Sequence, residues 1–242
     1  MRVVVLRDYR SLSEYAAGLV GQRIMRKPAA VLGLASGSTP LGLYRELIGM
    51  VKEKRIDLGQ VVTFNLDEYY PIDRESSQSY HYFMRHNFWE PAGIPPERAH
   101  IPAGKVDDIA ASCLDYERQI RRAGGIDLQI LGIGVNGHIG FNEPGDELIR
   151  KTHLAALSPE TIESNSRFFE TAADVPRMAI SMGMGTIMKA REILLLASGS
   201  SKAAAIKEAV KGELSTMVPA SLLQLHPRVT VLLDREAARD LG

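Results

Sequence analysis

Apolar positions in this chain fall into two alternating kinds of segment. Short runs are apolar at nearly consecutive positions: Val3 to Leu6, Ala29 to Ala35, Val61 to Asn65, Ile126 to Ile130, Glu192 to Ala197 and Val229 to Leu233. Strands covered on both faces read this way, whereas a half-exposed strand would alternate. Between them the apolar residues recur at helical spacing. Leu12, Tyr15, Ala16, Leu19 and Val20 share one face of a helix over Ser11 to Arg26, and Leu41, Tyr44, Leu47, Ile48 and Val51 mark a second. Further helices are predicted over Ser76 to Glu90, Asp107 to Arg122 and Ala203 to Val210, with a short one over Val218 to Leu225. Strand–helix alternation with unbroken apolar strands predicts a mostly parallel sheet covered on both faces. No linker, charge block or low-complexity tract interrupts residues 1–242, so a single α/β domain is expected.

Chemistry gathers where this pattern breaks. After the strand Ile126 to Ile130 comes Leu131 to Gly145, with glycines at 132, 134, 137, 140 and 145 and with Asn136, His138 and Glu143 set among them. Clustered glycine suits a loop that needs positive φ or close ligand approach, and a strand running into such a loop is where an open α/β sheet binds its ligand. A solvent-facing turn fits the same residues. Ser36-Gly37-Ser38-Thr39-Pro40 joins a strand to a helix, with Ser38 or Thr39 able to cap that helix and Pro40 suited to its first turn. Free backbone N–H groups, hydroxyls and the helix dipole would converge there on an anion such as phosphate. An ordinary capped helix is the alternative, and the absence of a following Gly-Lys-Ser/Thr leaves a nucleotide unsupported.

Ser198-Gly199-Ser200-Ser201-Lys202 repeats that arrangement with a lysine. At the end of the third strand, Asp67 and Glu68 stand beside Tyr69 and Tyr70, where one carboxylate could serve as a base. The aromatics of 76–90, Tyr80 among them, are expected to pack in the core. Residues 146–169 are polar and weakly periodic, and a lid is expected within 146–176, bringing Arg167 among hydroxyls.

Bulk composition narrows the partners. The 242 residues carry 29 Lys+Arg and 29 Asp+Glu, so no global field draws nucleic acid or an anionic membrane. No run approaches the roughly 20 apolar residues of a membrane span. The one cysteine, Cys113, excludes an intrachain disulfide and reads as a structural thiol in a helix. A cytoplasmic protein is expected.

Taken together, these segments resemble the glucosamine-6-phosphate deaminase (glucosamine-6-phosphate isomerase) family over nearly the whole chain. The resemblance rests on Gly33 to Pro40, Phe64 to Tyr69, Gly132 to Gly145, Asn165 to Phe169 and Ser221 to Pro227. Gly137-His138-Ile139-Gly140-Phe141-Asn142-Glu143-Pro144-Gly145 is its most specific part. 6-Phosphogluconolactonases have a related Gly-x-x-Gly-His turn, but generally lack the Phe-Asn-Glu-Pro and usually have Asp-Glu-Arg where this chain has Asp67-Glu68-Tyr69. The resemblance implies a Rossmann-like three-layer α/β/α sandwich. The activity it implies is conversion of D-glucosamine 6-phosphate and water to D-fructose 6-phosphate and ammonia, in amino-sugar (N-acetylglucosamine) catabolism.

Within that reaction, His138 matches the group that opens the sugar ring, Asp67 the base that moves a proton from carbon 2 to carbon 1, and Glu143 the partner that orients His138. Ser36, Gly37, Ser38, Thr39, Arg167 and Lys202 match phosphate contacts. Neither cofactor nor metal is implied, and Asn-x-His-x4-Glu offers too few ligands for a metal site. Two departures stand out. The better-known hexameric members have Asp at position 136, where Asn can hold a neighbour but not take a proton, so Asn136 is given an orienting role. Acids precede the basic residues of 146–156, Ala155-Ala156 replaces an expected cation, and the chain ends at Gly242, so activation by N-acetylglucosamine 6-phosphate is not expected. Monomer and homo-oligomer both remain open. The alternatives are galactosamine-6-phosphate deamination, lactone hydrolysis and non-catalytic sensing of a sugar phosphate.

Overall fold

The computed structural model describes residues 1–166, 169, 171 and 174–242. Its strands are β1 (Arg2–Leu6), β2 (Val31–Leu34), β3 (Val62–Asn65), β4 (Asp67–Tyr70), β5 (Ala99–His100), β6 (Leu128–Leu131), β7 (His153–Ala156), β8 (Met178–Ser181), β9 (Ile193–Ala197) and β10 (Val229–Asp234). The helices are α1 (Tyr9–Arg26), α2 (Leu41–Lys52), α3 (Tyr80–Met84), α4 (Ile109–Arg122), α5 (Pro159–Asn165), α6 (Met184–Ile187) and α7 (Ala203–Lys211). Among the described residues, seven strands form a parallel sheet in the order β1-β10-β9-β6-β2-β3-β5. Successive side chains in it serve opposite faces. Val31 and Val231 join a core with Tyr116 of α4 and Ile206 of α7, while Leu32 and Leu232 join one with Leu12 of α1 and Leu47 of α2. Two apolar faces on one strand explain the unbroken apolar runs, and each fully buried Leu or Val contributes roughly 1.5–3 kcal/mol. The expected three-layer α/β/α sandwich is the observed architecture.

The chain leaves β2 in one direction through β3 to β5, then returns to place β6 on the other side of β2 and continues to β9 and β10. The strand order therefore reverses between β2 and β6, and an open sheet binds its ligand outside the strand carboxyl ends at such a reversal. The loops there are Ala35–Pro40 and Gly132–Gly145.

A second sheet was not anticipated. After Asn65 the chain changes sheets within one residue, and β4 enters an antiparallel sheet ordered β4-β8-β7. Asp67 pairs with Ser181 at its edge. These four-residue strands carry polar residues, so a short run such as Asp67-Glu68-Tyr69-Tyr70 reads from sequence as a turn. β7 and α5 likewise lie inside the stretch expected to be irregular.

Three local expectations are corrected. Ser38 and Thr39 do not cap α2; Pro40 holds the cap position without a side-chain bond. The Tyr9 hydroxyl does that work, accepting the Gly42 N–H at 2.8 Å and donating to the Ser38 and Thr39 carbonyls, each at 3.0 Å. Helix 76–90 starts only at Tyr80, capped by Ser79, and widens to a π-helical turn over Arg85–Trp89. Its aromatics divide: Phe88 and Trp89 are buried in the core, but Tyr80 lines a cavity. Cys113 is buried in α4, as a structural thiol should be.

Candidate active site

A cavity of about 380 Å³ opens at the carboxyl ends of β2 and β6. Its lining joins residues 35–40, Leu66, Asp67, Tyr80, residues 132–135, His138, Gly140, Phe141, Ser164, Asn165, Ser201 and Lys202. Four separate breaks in the sequence pattern thus meet at one place. A larger cavity of about 480 Å³ lies at the opposite ends of the strands, among arginines of α1, and holds none of these acid–base groups.

One side of the site is made of two turns of small polar residues. Ser36, Gly37, Ser38 and Thr39 line it from the β2–α2 turn, and Ser201 and Lys202 from the β9–α7 turn. Gly37 and Gly199 have φ of 98° and 89°, a region that favours glycine and lets each turn reverse tightly. Asn65 donates to the Ser36 hydroxyl at 3.2 Å. Asp234, at the end of β10, accepts the Gly199 N–H and the Ser198 hydroxyl and so fixes the second turn. Arg167, expected to contribute a cation, lies outside the described residues.

Across the cavity is the glycine loop. The His138 imidazole packs on Gly134 so closely that a Cβ there would fall 2.3 Å from its Cε1. Its Nδ1 lies 3.2 Å from Glu143 Oε2. The carboxylate only accepts, so the imidazole proton belongs on Nδ1 and Nε2 is left available for proton transfer. Glu143 gathers further donors: Asn136 Nδ2 at 2.9 Å on the same oxygen, and on Oε1 the Thr161 hydroxyl at 2.6 Å and the Ser158 N–H at 3.4 Å. Burial opposes ionisation, but the His138, Thr161 and Asn136 contacts outweigh it and hold this carboxyl at about 2. Asn136 acts on Glu143 and on the His138 backbone. It orients Glu143 through Nδ2, and its Oδ1 accepts the His138 backbone N–H at 3.2 Å.

Asp67 has the opposite environment. It is 6% exposed, and burial, with Glu68 adding like-charge repulsion, pushes its carboxyl up to about 8. Glu68 is also raised by burial, against three backbone N–H donors from Tyr69, Tyr80 and His81. Those bonds solvate Glu68 internally and tie β4 to α3, so Asp67 is the displaced member of the pair. Gly140 lies alongside Asp67, its hypothetical Cβ 3.7 Å from Oδ2, which puts the carboxylate against the glycine loop. Ser181 and Asn142 hold that loop onto β8 and its exit, through Phe141 N–H to Ser181 Oγ at 2.9 Å and Asn142 Nδ2 to the Met182 carbonyl at 2.9 Å. Phe141, Tyr69 and Tyr80 form an apolar wall.

The structure therefore brings together Asp67, Asn136, His138, Glu143, the residues 36–39 and Lys202. Tyr9, Asp234, Ser158 and Thr161 went unrecognised in the sequence, because each acts by capping or tethering another group and none lies in a glycine turn. Among the described residues no group of three or more His, Cys, Asp or Glu is placed to hold a metal ion. Nor is any described helix long and apolar enough to cross a membrane.

Residues 9–232 match the model of the glucosamine-6-phosphate isomerases/6-phosphogluconolactonase family. A glucosamine-6-phosphate deaminase of Halothermothrix orenii is 60% identical over 98% of this chain and 99% of its own. A monomeric glucosamine-6-phosphate deaminase of solved structure superposes with a TM-score of 0.97 at 43% identity, covering 99% of this chain and 100% of that one. The Trypanosoma cruzi 6-phosphogluconolactonase superposes with a TM-score of 0.76 at 21% identity, covering 100% of this chain and 97% of that one, a likeness of fold. With its site built at the strand reversal and this match along nearly its full length, the chain belongs to the family of glucosamine-6-phosphate isomerases and 6-phosphogluconolactonases.

Proposed function

We infer that this protein is a glucosamine-6-phosphate deaminase, converting D-glucosamine 6-phosphate and water to D-fructose 6-phosphate and ammonia. The observation that carries the reading is the meeting of a buried, high-pKa Asp67, the His138–Glu143 pair and two anion-binding turns around one cavity. The deaminase named at 60% identity supports the same choice.

In this reading Ser36 to Thr39 and Lys202 hold the phosphate, with Arg167 joining them. His138 Nε2 moves the proton between the anomeric hydroxyl and the ring oxygen and so opens the ring. Asp67 takes the proton from carbon 2 as the substrate's ammonium gives one to the carbon-1 oxygen, leaving an enolamine across carbons 1 and 2, and Asp67 then returns its proton to carbon 1. The resulting iminium at carbon 2 adds water and expels ammonia, leaving the ketone. Glu143 keeps its charge throughout and stabilises His138 as it gains a proton. Asn136 holds Glu143. These roles need no cofactor or metal.

One domain over residues 1–242, with a lid inside 146–176, completes the proposal; among the described residues of that span, Ser164 and Asn165 of α5 line the cavity. The likeness to a monomeric deaminase supports a monomer, and the early acids of 146–156 with Ala155-Ala156 support an enzyme without activation by N-acetylglucosamine 6-phosphate. A sugar-phosphate substrate and a single buried cysteine support a cytoplasmic enzyme. Ammonia release from glucosamine 6-phosphate, measured beside release from its galactose epimer and hydrolysis of 6-phosphogluconolactone, tests the function. Hyperbolic release from the gluco substrate is expected. Release from neither amino sugar would remove the proposal, and preference for the epimer or the lactone would reassign it.

A further inference from the structure

The helix α5 reaches both acid–base groups of the site from a segment that neither belongs to. Near its start, Thr161 is 2% exposed, and its hydroxyl donates to Glu143 Oε1 at 2.6 Å. The Thr161 hydroxyl oxygen itself lies 3.4 Å from His138 Nδ1, so Thr161 sits in the angle between the imidazole and its carboxylate. Ser158 caps the helix, accepting the Thr161 N–H and donating to the Thr161 hydroxyl, each at 3.2 Å. At the far end, Asn165 donates to the Tyr69 hydroxyl at 3.0 Å, two residues beyond Asp67. Threonine has one hydroxyl hydrogen. With Ser158 directed at its lone pair, that hydrogen is committed to Glu143.

We propose that Thr161 is a positioning residue: its hydroxyl fixes the Glu143 carboxylate so that Glu143 can hold His138 with Nε2 facing the substrate, and α5 must be docked for this to happen. Three features separate this from ordinary helix packing. The bond goes to a carboxylate oxygen rather than to backbone, so it is charge-assisted and directional. It occupies the one Glu143 oxygen that neither Asn136 nor His138 uses. Finally, the donor lies on a helix whose following residues, Ser164 and Asn165, line the cavity, so contact with bound sugar bears on the same helix. Without the Thr161 bond, Glu143 Oε1 keeps only the longer Ser158 N–H contact, and the carboxylate can rotate away from Nδ1. A Glu143 that has turned leaves the imidazole free to carry its proton on either nitrogen.

The inference rests on the acid–base roles proposed above, and the test separates the two. Thr161→Val keeps the side-chain shape and removes the hydroxyl, while Thr161→Ser keeps the hydroxyl. Steady-state kinetics on glucosamine 6-phosphate should show kcat falling about 10- to 30-fold in Thr161→Val, with KM within about twofold and most of the loss recovered in Thr161→Ser. In a Glu143→Gln background the same Val substitution should cost less than about twofold, since its effect runs through that carboxylate. An equal loss in both backgrounds, or no recovery with Ser, would mean that Thr161 only packs, and would overturn the proposal. Imidazole 15N spectra of the unliganded enzyme give a readout free of substrate. His138 should be the Nδ1–H tautomer in the wild type and Thr161→Ser, and a mixture in Thr161→Val; an unchanged tautomer in Thr161→Val sinks the inference. If the wild type releases no ammonia, the functional reading fails, and these spectra alone decide the role of Thr161.

Discussion

Asp67 and Glu143 are two carboxylates serving one cavity, and the protein treats them in opposite ways. Asp67 is sealed at the point where the chain crosses between sheets, beside another acid, and its carboxyl rises to about 8. Glu143 is equally part of the site but is surrounded by a hydroxyl, an amide and an imidazole, and its carboxyl falls to about 2. Pairs of groups pushed apart in this way identify who moves protons and who stays charged. Asp67 is poised to change state near the working pH. Glu143 is held as an anion by four donors, and in the proposed mechanism its task is to hold His138. Burial alone would have raised both; the contacts supplied by His138, Thr161 and Asn136 make the difference.

The contrast breaks most sharply at Asp67. Asp67→Asn keeps the shape and removes the base, so ammonia release should fall by about 10³- to 10⁴-fold, the upper range for general acid–base catalysis. Inorganic phosphate should still bind with nearly wild-type affinity. The same variant should be more stable at high pH. Because the folded-state pKa lies above the unfolded value of 3.8, ionising Asp67 costs stability as pH rises from that value, in full above about 8. A thermal melt at pH 9 should therefore show Asp67→Asn melting several degrees higher, and at pH 3.5 little difference. Retained turnover would take Asp67 out of the mechanism.

At Glu143 the expected kinetic loss is smaller, and the stability effect has the opposite sign. Glu143→Gln puts a donor where His138 needs an acceptor, and kcat should drop about 10²-fold. Its depressed pKa contributes stability above the unfolded value of 4.5, lost as pH falls through about 2. The Gln variant should thus melt lower than wild type at neutral pH and converge with it in strong acid. The pH profile sharpens the same comparison. With Asp67 ionising near 8, kcat/KM should climb about tenfold per pH unit below that value. A cationic amine on the bound sugar favours the carboxylate, so the limb of kcat should lie at lower pH than that of kcat/KM. Superimposed limbs would mean that the amine does not sit near Asp67.

Sequence disclosed these two environments unequally. The β2–α2 and β9–α7 turns and the loop Gly132–Gly145 were readable because glycine and small polar residues interrupt strong apolar strands, and the strand pattern gave the parallel sheet with both faces covered. Asp67 was visible as an acid at a strand end. Its burial was not, because that depends on the second sheet, whose strands Asp67–Tyr70, His153–Ala156 and Met178–Ser181 are too short and polar to show a period. The donors to Glu143 were hidden for a related reason. Thr161 and Ser158 lie in a segment of weak periodicity, and nothing in their spacing points to a carboxylate 18 and 15 residues away. Tyr9 shows the same limit: long-range capping by a side chain 33 residues from Gly42 leaves no local signal.

Position 136 offers the finest adjustment. The Asn136 amide donates to the oxygen that Nδ1 of His138 also approaches, and so helps to keep Glu143 ionised. Asn136→Asp would replace that donor with a second carboxylate within hydrogen-bond reach. Two such groups share a proton, and one apparent pKa rises strongly. Above that new pKa both are charged and His138 still has its acceptor, so at pH 8 kcat should change by less than roughly fivefold. Below it, the pair holds a proton that Glu143 alone would have given up, so the acid limb of kcat, set by Asp67 in the wild type, should gain a second ionisation and steepen from about tenfold toward about a hundredfold per pH unit. A pH series of the variant beside the wild type reads this directly. Coincident acid limbs would mean that the amide is only a spacer, and that the low pKa of Glu143 depends on His138 and Thr161 alone.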